Sequence, residues 1–410
     1  MKENELIPHL FRTEYRKLVS VLCKLFGIEY IEIAEDIVSD TFLMAAETWG
    51  LKGLPSNPTA WLYTVSKNKT RDYFRHHQIF DKKIAPGIKA SADNSNEIEI
   101  DFSGKNIDDS QLQMMFTICH PSISTEAQIG LSLNILCGFG VEEIADAFLS
   151  NKETIYKRLA RAKVRLREEK LKVELPPQNE IDGRLETVLT TIYLLFSEGY
   201  YSTSQNSTLR RDFCVEAMRL NLMLVDNAPT NSPAANALLS LMCFHSSRFD
   251  ARQNSDGKLI LYEEQDENLW NRELIERGEY YLNRASTGNK LTRYHLEAAI
   301  AYWHTIKNDT KVKWENILQL YNRLLQIEYS PIAALNRTYA LSKANSTEEA
   351  INEAEKLQLN DNHLYHSLLG NLYSTVDIIK AKQHYQMAYR LAKTQADKDI
   401  IQQSQSKLRN

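Results

Sequence analysis

The sequence predicts an all-α protein, and three observations support this. Apolar residues recur at the three-and-four spacing of amphipathic helices, runs of alternating β-branched residues are scarce, and the 410 residues include only 14 Gly and 10 Pro. A hydrophobic content of 43% with 25% charged residues is typical of a globular chain and excludes a disordered one. At this length several domains are expected instead of a single core.

Shifts in composition divide the chain into five predicted segments. A small helical module at 1–85 is followed by a polar, acidic linker at 86–108, which is expected to be flexible. A second helical module at 109–174 ends at a stiff break, Pro176-Pro177. A helical extension is predicted at 180–306 and helical repeats at 307–410.

A weak internal repeat supports the last of these segments. Two sets of residues share the same spacing, and Leu369-Gly370-x-x-Tyr373 precedes the second set. The pattern is similar to the small and large positions at which paired helices pack in tetratricopeptide (TPR) repeats, while an ordinary stack of helical hairpins remains the alternative. The two sets are Ala350, Ala354, Leu357 and Ala381, Tyr385, Ala388.

Composition also limits the chemistry and the location. The five cysteines never fall at CxxC spacing and lie among apolar neighbours, so buried free thiols are expected. No metal site, cofactor or enzyme activity is predicted, because metal-ligand, phosphate-loop and nucleophile motifs are missing from the sequence. No apolar run is long enough to span a bilayer and no signal peptide is recognisable, so a cytoplasmic protein without membrane contact is expected.

Residues 141–167 have the pattern of a helix-turn-helix. Two helical segments are separated by about three residues, and Ser150-Asn151-Lys152-Glu153 has the S-x-x-E form of a capping box, which predicts Ser150 as the N-cap of the second helix. The chain carries a net charge of −4, yet Lys152–Arg167 contains seven cations and the single acid Glu153. Such a local excess is typical of a surface that binds a polyanion.

The second helix separates apolar from cationic positions. Ile155, Leu159, Ala162 and Leu166 form one stripe, and the cations Lys157, Arg161 and Arg165 lie on the opposite side. In helix-turn-helix proteins the first turn of this helix enters the major groove of DNA and later cations contact phosphates. The prediction therefore assigns Lys152, Glu153, Thr154 and Lys157 to base edges, and Arg158 and Arg161 mainly to the backbone. A solvated charged helix is the alternative.

The N-terminal module provides a second cationic helix. Asn57-Pro58 predicts a helix start with Asn57 as the N-cap. Lys67, Arg71 and Arg75 then form one stripe beside aromatic residues, a combination that suits an unpaired DNA strand. Aromatic residues in the core and basic residues in water explain the same pattern, and the residues alone leave that choice open.

These motifs together resemble a known family. Ala34–Phe42, Asn57-Pro58-x-x-Trp61-Leu62 and Arg71–Arg75 resemble conserved regions 2.2 to 2.4 of extracytoplasmic-function (ECF) sigma factors of the sigma-70 family, and Thr154–Ala162 resembles region 4.2. Further segments resemble the group of these sigma factors with a long tetratricopeptide-like extension; they are Phe116–Pro121, Phe196–Tyr200, Arg211–Ala217 and Gln265–Trp270. Leu149 departs from the pattern, because the family often has Gly at this turn.

The resemblance implies a role for each module. Asp36, Ile37, Asp40 and Phe42 would bind the β′ clamp helices of core RNA polymerase, with further contacts to the β subunit. The second module would bind the −35 element of promoter DNA. The −10 element would be melted and bound by the loop at 52–57 and the helix that follows it, through Lys52, Asn57, Trp61, Lys67, Asn68, Arg71 and Arg75.

The resemblance further implies that the C-terminal extension regulates the sigma modules, with a regulatory protein or ligand left open as its partner. The alternative is a helix-turn-helix regulator that acts without polymerase and is fused to a TPR-like interaction domain. That alternative gives no role to Asp36–Phe42 or to the basic and aromatic helix that follows Asn57.

Overall fold

A computed structural model of the protein describes residues 3–77, 100–148, 150–201, 207–252 and 260–408. These residues form 18 α-helices and, within the described ranges, no strand, which confirms the predicted all-α class. The helices group into two compact units, Met1–Thr230 and Asn231–Asn410. No helix in the described ranges combines the length and the apolarity needed to cross a bilayer.

The first three helices form the N-terminal module. They are α1 (Glu3–Phe26), α2 (Ile31–Lys52) and α3 (Pro58–His77), and α2 packs against both of the others. Their shared core includes Leu18, Leu22 and Leu62, which are all fully buried. Asn57 caps α3 as predicted, because its Oδ1 accepts the backbone N–H of Ala60 at 3.0 Å.

The second module begins earlier than its sequence boundary. Helix α4 (Gly104–Ile118) starts inside the predicted linker 86–108, of which residues 86–99 lie outside the described ranges. Ser103 caps α4 by accepting the backbone N–H of Asn106 at 3.3 Å. A π-helical turn separates two of the remaining helices of this module, which are α5 (Thr125–Leu131), α6 (Val141–Ala147) and α7 (Lys152–Glu169).

Two further helices complete the first unit. They are α8 (Gln178–Tyr201) and α9 (Ser207–Asp226), which pack on each other and on α4. The Arg184 guanidinium of α8 donates to the Phe116 carbonyl at 2.7 Å, and the Thr191 hydroxyl donates to Gln128 Oε1 at 3.0 Å. The first part of the predicted extension is therefore packed onto the second module.

The second unit is a succession of nine helices in the described ranges. Consecutive helices pack on each other, and Ala350, Ala354, Ala381 and Ala388 of the predicted repeat are all fully buried where helices meet. The helices are α10 (Pro233–Ser246), α11 (Arg272–Ala285), α12 (Arg293–Trp303), α13 (Lys311–Ile327), α14 (Pro331–Ala344), α15 (Thr347–Lys356), α16 (His363–Tyr373), α17 (Ile378–Leu391) and α18 (Gln395–Ser406).

The five cysteines are free and buried, as the sequence predicts. Burial raises the pKa of Cys119 to about 11, and this thiol therefore stays protonated and behaves as a small apolar group at neutral pH. The same cause raises the pKa of Cys243 to about 12. The cysteines are thus packing residues.

Helices α10 and α11 approach each other most closely at Gly278. The Ser240 hydroxyl of α10 donates to the Gly278 carbonyl at 2.7 Å, and a Cβ added at position 278 would lie 2.5 Å from the Phe244 ring. The ring is fully buried, and close-packed protein interiors leave few voids into which a ring can shift. Glycine at 278 is thus required by packing.

We expect Gly278→Ala to lower the free energy of unfolding of the C-terminal unit by about 1–3 kcal/mol, because the added methyl overpacks this crossing. Calorimetry of the full chain measures the effect on the transition of that unit. Gly183→Ala is the matched control: Gly183 also lies in a helix but has nothing within 4 Å of an added Cβ. The control should stabilise by about 0.5–1 kcal/mol. Equal effects of both changes would contradict the packing argument.

Candidate nucleic-acid interface

Helices α6 and α7 lie where the sequence predicts the two helices of a helix-turn-helix, with one correction to the predicted start of α7. The N-cap is Asn151, whose Oδ1 accepts the backbone N–H of Thr154 at 2.7 Å. The predicted capping box at Ser150 is wrong, because Glu153 pairs with Lys157 at 2.5 Å instead of reaching back. Asn and Ser are about equally good caps, so the local sequence did not distinguish neighbouring positions. Leu149, the unusual turn residue, lies outside the described residues.

The two predicted faces of α7 are confirmed. Its buried residues are Ile155, Leu159, Ala162 and Leu166, the predicted apolar stripe. The residues predicted to contact base edges lie at the exposed first turns of the helix, and Arg161 is exposed while Arg158 is half-buried. Those exposed residues are Lys152, Glu153, Thr154 and Lys157.

Most of the cations of α7 have acidic partners within the chain. Lys152 pairs with Glu142 of α6, and Arg165 with Glu169 at 3.4 Å. These pairs are largely exposed, and such pairs contribute little to stability, so a polyanion can displace them. Within the described ranges, Arg158 and Arg161 have no ion-pair partner.

Arg158 and Arg161 line an open groove of about 550 Å³ between α7 and the turn that precedes α5. Ser122 and Ser124 form the opposite wall, and Lys157 and Arg165 extend the cationic side. Four cations opposite two hydroxyl groups are suited to binding a phosphate backbone. The serines were not singled out from the sequence, because they lie about 35 residues before the cations that they face.

On α3 the predicted −10 residues form a partly exposed surface. Asn57, Asn68 and Arg75 are exposed, as is Lys52 at the end of α2. Lys67, Arg71 and Trp61 are half-buried. The rings of Trp61 and Trp49 pack in a T-shaped arrangement with centroids 5.3 Å apart, so the core holds the Trp61 indole in place.

The predicted polymerase-binding residues on α2 separate into two groups. Asp36 and Asp40 are exposed, whereas Ile37 and Phe42 are 7% and 4% exposed and belong to the core of the module. Apolar side chains that the sequence reasoning missed continue the exposed face. The helical spacing from Asp36 and Asp40 points to them; they are Leu43, Met44 and Leu51, with exposures of 59%, 40% and 87%.

The two modules pack on each other through α1 and α4, and ion pairs between α2 and α7 add a charged contact. The Lys163 ammonium lies 2.6 and 2.7 Å from the two oxygens of Glu35, and the side chains are only 15% and 16% exposed. Arg167 lies 3.4 Å from Glu32 on the same side. Burial raises the pKa of Glu35, although Lys163 opposes the rise. Two of the seven cations in the predicted nucleic-acid segment therefore contact the N-terminal module.

Helix α9 connects both modules at a second place. Its Glu216 pairs with Arg16 of α1 and, at 2.7 Å, with Arg219. Arg219 in turn donates to the Leu136 carbonyl of the second module at 2.8 Å. Burial raises the pKa of Glu216, but Arg219 and Arg16 outweigh it and hold the pKa below its usual range. A charged Glu216 thus links α1 to the second module.

Two histidines of the second unit contact each other. His366 Nδ1 and His384 Nδ1 are 3.0 Å apart, and His366 Nε2 donates to the Asn360 carbonyl at 2.9 Å. Across the described ranges, no group of three or more His, Cys, Asp or Glu side chains is placed to hold a metal ion.

Comparisons with known proteins identify the N-terminal module. Residues 10–79 match Sigma-70 region 2, and residues 184–286 match a family of unknown function, DUF6596. An uncharacterized protein of Rhizobium meliloti (strain 1021) is 31% identical over 347 residues, which cover 83% of this chain and 82% of that protein. No solved structure matches the chain.

A three-helix module with a sigma-70 region 2 sequence defines a protein with a sigma-factor-like role in transcription initiation. Proteins of this class act by binding core RNA polymerase and promoter DNA and perform no catalysis. The chain belongs to the same family as the Rhizobium meliloti protein, with which it shares most of its length.

Proposed function

We propose that this chain is a sigma factor of the ECF type whose C-terminal extension controls the arrangement of its two DNA-binding modules. The observation that carries the proposal is the pairing of a region 2 match with a helix-turn-helix whose exposed face is cationic. A polymerase-independent regulator would have no use for region 2. The ECF type, the TPR-like repeats and the residue roles below are parts of this proposal.

The exposed face of α2 is proposed to bind the β′ clamp helices of core polymerase. Asp36 and Asp40 would provide charge, and Leu43, Met44 and Leu51 would provide apolar area. A contiguous exposed apolar patch beside acids is suited to a protein contact. Phe42 supports the surface from below, since its ring packs against Phe11 with centroids 5.1 Å apart; Ile37 is likewise proposed to act through packing.

The two DNA contacts differ in chemistry. On α3, the half-buried Trp61 would stack on an unpaired base, with Lys67, Arg71 and Arg75 along the strand and Lys52, Asn57 and Asn68 at its ends. On α7, the first turn would contact the −35 bases, and Arg158 and Arg161 would hold a phosphate in the groove shared with Ser122 and Ser124.

In the described arrangement, the two modules cannot bind the −10 and −35 elements at the same time. Elements centred near −10 and −35 lie about 85 Å apart, at about 3.4 Å per base pair. A compact unit of this size has a diameter of roughly 45 Å. The modules must therefore separate on the promoter, which requires both the packing of α1 on α4 and the Glu35–Lys163 pair to open. Because α9 holds Arg16 and Leu136 together, we propose that the extension favours the closed state of the free protein.

Reconstitution with core RNA polymerase tests the proposal as a whole. We expect the full chain, or a variant that opens the modules, to support initiation from a cognate promoter. The promoter is found by sequencing the DNA that the holoenzyme retains. Failure of both proteins to initiate at any retained sequence would show that the chain is not a sigma factor.

We expect Arg161→Ala to weaken −35 binding equally across promoter sequences, because the side chain is assigned to a phosphate. The slope of log K against log salt should fall by about 0.9 for each phosphate that the variant no longer neutralises. Titrations of duplex DNA at several salt concentrations measure it. Lys105→Ala, which removes an exposed cation at the start of α4, is the control and should leave the slope unchanged. A loss confined to particular bases would place Arg161 at a base edge instead.

Charge reversal tests the closed state. Lys163→Glu places two negative charges opposite each other. We expect this to destabilise the closed arrangement of the modules by about 1–2 kcal/mol and to shift the closed–open equilibrium toward the open state by roughly 5- to 30-fold. Energy transfer between dyes at Ser56→Cys and Lys172→Cys, both exposed positions, should fall. The double variant Glu35→Lys, Lys163→Glu restores the pair and should restore the transfer. Unchanged transfer in the single variant would contradict a closed state held by this pair.

A further inference from the structure

The C-terminal unit contains a cluster of cations around the ring of Tyr262. The guanidinium carbon of Arg248 lies 5.4 Å from the ring centroid and the Lys313 ammonium 5.2 Å from it. Arg248 is 8% exposed and Lys313 is 1% exposed. Two buried cations thus share one aromatic ring.

The carboxylates near this cluster pair with a third cation, Lys343. Asp309 accepts the Trp314 indole N–H and lies 3.5 Å from the Lys343 ammonium, while Glu263 accepts the Tyr339 hydroxyl and lies 3.8 Å from the same ammonium. Lys313 is held by neutral groups, because it donates to the Ile306 carbonyl at 2.6 Å and to the Tyr262 hydroxyl at 3.1 Å. Within the described ranges, no carboxylate pairs with Arg248.

Neighbouring histidines respond to this excess of positive charge. His304 packs edge-on against Tyr262, with centroids 5.2 Å apart, and burial, Arg248 and Lys313 lower its pKa to about 3. Burial, Arg248 and Arg252 likewise hold the pKa of His245 well below its usual range. Both rings are therefore neutral at physiological pH, and the cluster keeps a net positive charge.

Several buried polar atoms of the cluster have no hydrogen-bond partner among the residues that the structure describes. Arg248 Nε and Trp270 Nε1 are donors without an acceptor, and His304 Nδ1 is also unpartnered. Trp270 is 3% exposed and stacks on Tyr262 with centroids 6.2 Å apart. Buried N–H groups are normally satisfied, so the unpartnered donors indicate a missing acceptor.

We infer that this cluster binds a small oxyanion, a phosphate, sulfate or carboxylate group, with Arg248 as its principal partner and Trp270 and His304 as further polar contacts. An oxyanion supplies both missing quantities, the negative charge and the hydrogen-bond acceptors. The Tyr262 ring alone does not compensate for burying the cations, because a cation–π contact stabilises a cation by less free energy than its desolvation costs. The Asp309 side chain beside Lys313 is 57% exposed, so an ion can reach the cluster from solvent. The inference is independent of the proposed role in transcription.

Thermal unfolding of the full chain with added salts tests the site. We expect sodium phosphate or sulfate to raise the unfolding temperature of the C-terminal unit by several degrees above sodium chloride at equal ionic strength, because a ligand of the folded state stabilises it. Sodium acetate distinguishes the two classes of anion. An equal rise in unfolding temperature with acetate indicates a carboxylate ligand, and a rise with phosphate or sulfate alone indicates a tetrahedral anion. Titration calorimetry with phosphate and with acetate measures the heat and the affinity of binding directly.

Arg248→Met should abolish the anion-specific rise, and Arg323→Met, which removes an exposed cation from α13, should retain it. Arg248→Lys replaces the methionine variant if that variant does not fold. It keeps the positive charge and should retain part of the rise in unfolding temperature. The same temperature in chloride and in every oxyanion, with no heat of binding to the unaltered chain, would refute the site. An equal rise in Arg248→Met would refute the role given to Arg248.

Discussion

The buried pairing of Glu35 with Lys163 is the charged contact that, together with the packing of α1 on α4, holds the two modules of the N-terminal unit against each other. It joins residues 128 positions apart, across the two modules, in a contact from which most water is excluded. Such a pair returns little net stability, because desolvation of both charges offsets most of their attraction. Removing one partner lowers the stability strongly, because a buried charge is left unpaired. Separating both partners into water changes the free energy little, because both charges are then solvated. This balance suits a contact that must hold in one state and open in another.

The cations of α7 divide into two classes by burial. Most of those that face solvent are paired with acids in exposed geometry, where salt and a competing polyanion easily displace them. Lys163 is different, because its ammonium is covered and its partner lies in the other module. A bound DNA backbone can therefore replace the first class of partners without moving a helix, whereas it can reach Lys163 only after the modules part.

What could be predicted from the sequence was local. The buried stripe of α7 follows from helical periodicity, and Asn57 follows from the cap chemistry of its own turn. Ser150 was mistaken for the cap because Asn151 beside it competes for the same backbone N–H groups. The contact between Glu35 and Lys163 has no local signal at all. The exposed apolar face of α2 was overlooked because Ile37 and Phe42, which carry the family resemblance, pack into the core instead.

The position of α8 and α9 shows why a break in composition need not be a boundary in packing. Pro176 and Pro177 end one helical segment, since proline disrupts a helix, but they say nothing about which surface the next helix covers. Helix α8 covers Phe116 and Gln128, so a chain cut after the proline pair would expose the core of the helix-turn-helix module. Truncation there confounds loss of regulation with loss of folding. Single substitutions at Glu35 and Lys163 separate the two, because they alter the contact between the modules and leave the core under α8 intact.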